Sequence, residues 1–434
     1  MRAAALHFGE YAVSQGLRFA SNLILARMLV PEDFGMMLLV NLLLHGLEMF
    51  SDIGLGPALI QHRNGEEPRF LHTAWTLGLA RGVALWLLAS LLAWPMAAFY
   101  GEPRLLLVLP IAAFSLVLDA ACSAYVVVLE RRLEFGRLMA IELSGYLVSI
   151  AVMVGGAYFT ATVWPLVAGL LVNAGLSSAL THVALSGPRM RLRIDREAAR
   201  QLIHFGRWLF VSSMLTFLAG QLDRIILGKL LDVSELGVYA IAFMMAQVIV
   251  ALTHELSRSV LNPVYARARE LGPGHLRAQV RRYRLALLAV TLPPCMLLYA
   301  AGPEIIRFLY DDRYWEAGWM LQALAVGAAL STILVPSENV LMATGDSFRH
   351  MLLQGVEAIS VIGCMLLGYL VAGTPGLIFG FALAGLVQYP FVAYFVRSND
   401  VWLPRLDLAT ISAVILALVV ITWARGMFPD WAHQ

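Results

Sequence analysis

Apolar stretches of about 20 residues follow one another along this 434-residue chain, each about long enough to cross a bilayer. Lipid offers the backbone no hydrogen-bond partner, so such spans must be helices or a closed barrel. Barrel strands alternate apolar and polar residues with period two, whereas these runs are continuously apolar. The chain is therefore predicted to be an all-α polytopic membrane protein. With 60% hydrophobic and 14% charged residues it departs far from a soluble chain, which carries about 25% charged residues.

The basic residues supply an orientation. Of the 31 Lys and Arg, only Lys229 is a lysine. With the N-terminus cytoplasmic, 21 fall inside, 6 outside and 4 within spans, which accounts for all 31. Cytoplasmic loops are expected to carry such an excess. The inner clusters are Arg131, Arg132 and Arg137; then Arg189, Arg191, Arg193, Arg196 and Arg200; then Arg267, Arg269, Arg277, Arg281, Arg282 and Arg284. Topology and contact with lipid headgroups explain them, with recruitment of cytoplasmic enzymes as the alternative. A net charge of +2 placed in this way gives no reason to expect a nucleic-acid partner. Cys122, Cys295 and Cys364 all lie in apolar spans, so neither a disulfide framework nor a metal site is expected.

Thirteen spans are read, near 7–27, 34–60, 71–99, 104–129, 138–159, 163–186, 203–228, 236–262, 284–307, 317–343, 350–372, 375–396 and 406–425. The Arg-rich loop after the sixth divides the chain. An N-terminal six-helix lobe (1–187), a linker (188–202), a C-terminal six-helix lobe (203–397) and an additional helix and tail (398–434) follow.

An internal repeat supports that division. Phe8-Gly9-Glu10 opens the first span and Phe205-Gly206-Arg207 the seventh, while ARMLVPEDFG (26–35) matches GKLLDVSELG (228–237) in spacing and character. Six spans per half preserve orientation, so the halves are expected to be parallel repeats with pseudo-two-fold symmetry about the membrane normal.

Polar residues inside spans are costly in hydrocarbon and therefore informative. Glu10, Ser14, Arg18, Ser21 and Asn22 share one face of the first span. Asn41, His45, Glu48 and Asp52 share one on the second. Ser212, Thr216, Gly220, Asp223 and Arg224 stripe the seventh, and Gln247, His254 and Arg258 the eighth. A polar cavity between the halves fits four such stripes; helix–helix hydrogen bonding in a packed bundle is the plainer reading of any one. Arg18, Arg81, Arg207 and Arg224 are the in-span cations, and Arg207 is close enough to the inner edge to snorkel. Arg18 and Arg224, at related positions of the repeat, are the leading candidates to bind an anionic substrate, with Arg81, Asn22 and Asn41 beside them. Glu48, Asp52, Asp223 and Glu255 are the candidates to carry a coupling ion, ahead of Glu142, Glu338 and Glu357. Bends are expected at Gly54-Leu55-Gly56-Pro57, Pro293-Pro294 and Pro336.

The sequence lacks the enzyme signatures that would mark a nucleotide hydrolase or a zinc protease. No GxxxxGK[ST] stretch occurs, and His254-Glu255 is followed by Leu-Ser-Arg rather than completing HExxH. No enzymatic activity and no cofactor are expected.

SNLILARMLVPEDFG followed by EMFSDIGLGPALIQ, then YVVVLERRLEFGRLMAIEL (125–143), QLDRIILGKLLDVSELGVYAIA (221–242) and LYDDRYWEAGWMLQALA (309–325), resemble polysaccharide-exporter flippases. These are O-antigen flippase-like members of the multidrug/oligosaccharidyl-lipid/polysaccharide exporter superfamily. The resemblance covers most of the chain in order. It implies two six-helix lobes around a cavity that opens alternately to each side of a bacterial inner membrane. It implies transport of undecaprenyl-diphosphate-linked oligosaccharide to the periplasmic leaflet for surface polysaccharide synthesis, driven by protons or sodium. It places substrate binding on Arg18 and Arg224, and implies membrane lipids, a polysaccharide polymerase and assembly proteins as partners. Thirteen spans depart from the twelve or fourteen usual in such proteins.

An ion-coupled exporter of small amphipathic compounds is the alternative on the same fold, although arginines suit it poorly. A membrane polymerase or ligase would want a large outer loop, and the outer loops here are short. A scaffold that binds biosynthetic partners through its Arg-rich loops would tolerate loss of Arg18 or Arg224.

Overall fold

The computed structural model describes residues 2–52, 54–132, 134–185, 187–261, 264–265, 273–344, 346–397 and 402–425. Arg267, Arg269 and the terminal MFPDWAHQ lie outside the described residues, as do the side chains of Glu10, Ser14, Arg207, Ser212 and Thr216. Every regular element among the described residues is a helix. The chain forms two compact units, Met1–Gly237 and Val238–Gln434.

The first unit holds α1 (Arg2–Met28), α2 (Pro31–Met49), the short α3 (Leu55–Gln61), α4 (Pro68–Tyr100), α5 (Leu105–Ala120), the short α6 (Tyr125–Arg131), α7 (Phe135–Phe159), α8 (Trp164–Val183) and α9 (Arg196–Leu230). Helix starts follow the local chemistry. Pro31 sits in the first turn of α2 with Glu32 and Asp33, where a fixed φ and negative charge both suit a helix N-terminus. Asp195 caps α9 by accepting from the Glu197 and Ala198 amides at 3.1 and 2.9 Å. α5 packs against α4 and α8, α7 against α8 and α1, and α9 against α4, α2 and α3. The unit therefore includes a helix that lies beyond the Arg-rich linker.

α10 (Val233–Leu256) begins in the first unit and continues into the second. There, α11 (Pro273–Leu309), α12 (Ala317–Thr344), α13 (Ser347–Val396) and α14 (Pro404–Ala424) follow. α12 packs on α11, α13 and α14, so it is the central helix of this unit. Leu334, Val340 and Leu341 of α12 share a core with Val280 and Leu287 of α11 and Val392 and Val396 of α13.

Several spans differ from their sequence reading. The second ends at Met49 rather than near residue 60; Asp52 accepts the Gly54 amide at 2.8 Å, and Gly54 takes φ +59, so the chain turns into separate α3. The fourth is broken, with α5 and α6 bent by 62°. α11 runs helically through Pro293-Pro294 and departs from helical backbone at Ala301, two residues before Pro303. That bend brings Gly302 and Pro303 close to Gly318 of α12, where a side chain on either glycine would meet backbone. α13 breaks at Ala372 and Gly373 (φ +62), and its halves meet through Gly368 and Gly376, each of whose missing Cβ would lie on the other's carbonyl. Arg284, read as a loop residue, is buried within α11.

Among the described residues, eight helices are long and apolar enough to cross a membrane, or nine if α5 and α6 form one span. The count of thirteen is not reached by that measure. α1, α2 and α9 are 27, 19 and 35 residues long, but their polar stripes lower their apolarity, and broken α13 passes as a single helix.

The repeated motifs meet in the first unit. A Cβ on Gly35 would fall on the carbonyl of Val233, and a Cβ on Gly237 would fall on the carbonyl of Pro31. Each glycine lies four residues after the residue whose carbonyl the other approaches. The starts of α2 and α10 thus cross through a reciprocal contact between equivalent positions of the two repeats.

Candidate functional site

The first unit holds a half-open cavity of about 960 Å³, at the upper end of the range for small-molecule sites. Its walls come from α1, α3, α4, the α5–α6 corner, α7 and α8. Polar and aromatic groups converge on it: Arg18, Trp75, Asp119, Glu142, Tyr146 and Asn173.

The corner between α5 and α6 organises this space. Ending one helix and starting another leaves carbonyls and amides without helical partners. Here side chains supply them. Trp75 Nε1 and His182 Nε2 both donate to the Ala121 carbonyl, at 3.0 and 2.8 Å, and the Ser123 amide donates to Thr181 Oγ1 at 3.0 Å. Three bonds from α4 and α8 therefore hold the bend, and Asp119 stands one turn before it, on the cavity wall. Thr181→Val is expected to leave the buried Ser123 amide unpaired and to destabilise the unit by about 1–3 kcal/mol. A lower melting temperature of the purified protein would show this; an unchanged one would mean the corner is held without that bond.

Arg18 lies on the exposed face of α1, with its guanidinium carbon 5.7 Å from the Tyr146 ring centroid. Such an arrangement contributes about 0.5–1 kcal/mol at an exposed site, and it aims the cation at the cavity. Ser21 Oγ lies 3.1 Å from the Tyr146 hydroxyl, which fixes the ring. Asn22 donates to the Arg18 carbonyl at 2.9 Å, so its amide is engaged by its own helix.

The other predicted residues lie elsewhere. Arg81 donates from Nε to Ser51 Oγ at 3.0 Å and from Nη2 to the Glu48 carbonyl at 2.7 Å. It thereby caps the C-terminal end of α2, where carbonyls are unsatisfied and a cation is favoured. Asp52 accepts from Gly54 and, at 3.3 Å, from Ser213 of α9. Arg224 donates to Gln221 one turn back on α9, and Asp223 is buried. Asn41 is exposed on α2. Glu255 pairs with Arg258 at 2.9 Å, one turn apart in the second unit. Of the nine predicted residues, Arg18 alone lines the 960 Å³ cavity.

Asp119 and Asn173 were missed. Asp119 is the one acid in LLLVLPIAAFSLVLDA, and that isolation was the available signal. Glu142, ranked behind other acids, is on the wall. A second, apolar cavity of about 310 Å³ lies between α2, α4, α5 and α9, lined by Leu43, Leu47, Leu92, Met96, Phe217 and Ile225 among others.

In the second unit, Arg284 of α11 and Asp407 of α14 form an ion pair at 2.7 Å with side chains 3% and 2% exposed. Arg284 also donates to the Ile333 carbonyl at 3.0 Å, beside the gap that Pro336 opens in α12. Gln388 donates to Glu338 at 2.9 Å.

Comparison with known proteins bears on the family and the fold. The chain is 22% identical over 394 residues to the lipopolysaccharide biosynthesis protein WzxC of Escherichia coli (strain K12), covering 89% of this chain and 78% of that protein. It is 25% identical over 320 residues to the succinoglycan biosynthesis transport protein ExoT of Rhizobium meliloti (strain 1021), covering 73% of this chain and 64% of that protein. Its fold is shared with the lipid II flippase MurJ in an inward closed conformation, at TM-score 0.71 and 14% identity over 98% of this chain and 99% of that one. It is also shared with an inward-facing multidrug resistance MATE family transporter of the MOP superfamily, at TM-score 0.63 and 13% identity over 89% and 94% of the two chains. A family model described as polysaccharide biosynthesis protein matches residues 24–318. The chain is a multi-pass membrane protein that belongs to the polysaccharide biosynthesis protein family.

Proposed function

We propose that this protein is a flippase that moves undecaprenyl-diphosphate-linked oligosaccharide from the cytoplasmic to the periplasmic leaflet of a bacterial inner membrane, for surface polysaccharide synthesis. The observation that carries this reading is the cavity of the first unit. It joins a cation, Arg18, to hydrogen-bonding and aromatic groups in a protein of a polysaccharide family. A diphosphate-bearing glycan needs that combination, because guanidinium binds phosphate oxygens through directed, charge-assisted bonds. Arg18 takes the acidic part of the substrate; Asn173, Ser177 and Trp75 take its sugars.

Transport proceeds by alternating access of the two repeat halves, with the N-terminus cytoplasmic, as the distribution of Arg supports. Membrane lipids and the enzymes that build and polymerise the repeat unit are the partners, and no covalent chemistry is assigned to the protein itself. A proton or sodium ion couples the cycle. Glu48 and Asp223 remain candidates for that role, and Asp119 joins them. The local bonds of Asp52 and Glu255 favour structural roles for those two. An ion-coupled exporter of small amphipathic compounds is the second reading, and Asp119 on the cavity wall favours it.

The test is made in a strain deleted for this gene and complemented with Arg18→Ala or Asp119→Asn. Losing a charge-assisted bond of about 1.5–3 kcal/mol weakens binding about tenfold or more, so Arg18→Ala is expected to deplete surface polysaccharide at normal membrane abundance. Lipid-linked repeat units should accumulate on the cytoplasmic side. If deletion of the gene leaves surface polysaccharide unchanged, the flippase reading fails and the small-molecule exporter takes its place. If deletion depletes it and Arg18→Ala does not, the reading stands and the assignment of Arg18 fails.

A further inference from the structure

Between α8 and α9 the chain is extended, and its course is pinned to α4. The backbone amides of Arg191, Arg193 and Asp195 donate to His72 Nδ1 at 3.4 Å, Thr76 Oγ1 at 3.1 Å and Thr73 Oγ1 at 3.0 Å. Bonds from alternate residues are the signature of strand-like backbone, whose side chains point alternately to opposite sides. Arg189, Arg191 and Arg193 therefore share one side, and Met190, Leu192 and Ile194 share the other. All three arginines are exposed, and Leu192 and Ile194 are 72% and 56% exposed.

The segment carries three arginines against one acid, Asp195, whose carboxylate is engaged in capping α9. Nearby, Arg132 is paired with Glu66 at 2.5 Å and Arg69 with Glu67 at 2.7 Å. Among the described residues, Arg189, Arg191 and Arg193 have no such carboxylate.

Depth follows from α4. Its 33 residues extend about 49 Å at about 1.5 Å per residue, against about 30 Å of hydrocarbon. Trp94, Phe99 and Tyr100 at its far end suit the opposite interface. Its first turns, which hold the segment through His72, Thr73 and Thr76, thus stand at headgroup level. Retaining a loop on one side of a membrane needs only charge near a span. It does not need three clamping bonds or two exposed aliphatic side chains, Leu192 and Ile194, alternating with the arginines.

We propose that residues 188–195 form a binding surface for anionic phospholipid headgroups of the adjacent leaflet. The arginines take the phosphates, and Leu192 and Ile194 enter the boundary between headgroups and acyl chains. The surface serves to hold this side of the first unit at a fixed depth, whatever the protein transports.

The test is native mass spectrometry of the full-length protein in detergent, with phosphatidylglycerol or phosphatidylcholine added at equal concentration. The wild type is expected to retain phosphatidylglycerol in preference. Arg189→Gln/Arg191→Gln/Arg193→Gln is expected to weaken that retention by about fivefold per arginine. Thr73→Ala/Thr76→Val keeps every charge but releases the segment, and is expected to lower the preference as well. Equal retention of both lipids by the wild type overturns the proposal, as does undiminished phosphatidylglycerol on a monodisperse triple variant. If the triple variant does not purify, undiminished retention by the Thr73/Thr76 variant overturns it. Displacement of phosphatidylglycerol by an equimolar isoprenyl diphosphate would assign the surface to a diphosphate lipid and overturn the assignment to bulk phospholipid.

Discussion

Arg284→Ala is expected to remove most of the folded protein from the membrane. The substitution leaves the Asp407 carboxylate, 2% exposed, without its cation and without water. Breaking a buried pair from one side costs about 3–5 kcal/mol, a large fraction of the about 5–15 kcal/mol that typically stabilises a domain. Asp407→Ala is expected to cost a similar amount, since the guanidinium would keep only its bond to the Ile333 carbonyl. The double variant Arg284→Met/Asp407→Leu is expected to recover most of the loss, because an apolar pair of similar volume carries no desolvation penalty. Thermal melting of the detergent-solubilised protein, followed by fluorescence-detected size exclusion, reads all three. A single variant that melts with the wild type would mean that the pair is hydrated in the membrane.

The second large effect is expected at the crossing of α2 and α10. The missing Cβ of Gly35 and that of Gly237 would each enter a backbone carbonyl on the other helix. Backbone cannot swing aside as a flexible side chain can, so the helices must separate. Gly35→Ala and Gly237→Ala are each expected to cost about 1–3 kcal/mol, with Val at either position costing more. The double Ala variant should fall short of the sum, because one separation relieves both clashes. Melting temperatures of the two single variants and the double form the cycle. Additive losses would show that the two contacts give way independently, and no loss would mean that the crossing is loose.

The spans were legible because hydrocarbon imposes one requirement everywhere, and about 20 apolar residues satisfy it. ARMLVPEDFG and GKLLDVSELG both end in glycine, and the same close crossing acts on both glycines. Breaks inside spans were harder to read. Nothing in SLVLDAACSAYVVV marks a 62° corner, because its stability comes from Trp75, Thr181 and His182, which are distant in sequence. Arg284 was misplaced because it follows Arg281 and Arg282, and only packing against α14 separates a buried cation from solvated ones. The polar stripes picked out residues that differ in what they do. They did not say which bonds are local: Arg81 closes a helix end and Asn22 bonds its own backbone, while Arg18 faces the cavity. Asp119 was overlooked because a lone acid forms no stripe.

The position of α9 has a consequence for the order of assembly in time. Although it follows the Arg-rich linker, it packs on α4, α2 and α3 and belongs to the first unit. A ribosome that has released residue 195 has therefore not yet supplied the helix that covers those surfaces. At about 5–20 residues per second the wait lasts a few seconds, during which α2, α3 and α4 sit in the bilayer without their last neighbour. A chain split within the linker would leave the first fragment permanently in that state. A chain split after Leu231, between α9 and α10, would supply that helix, so a seam for dividing this protein into two co-expressed pieces lies about one helix beyond the loop that the eye selects.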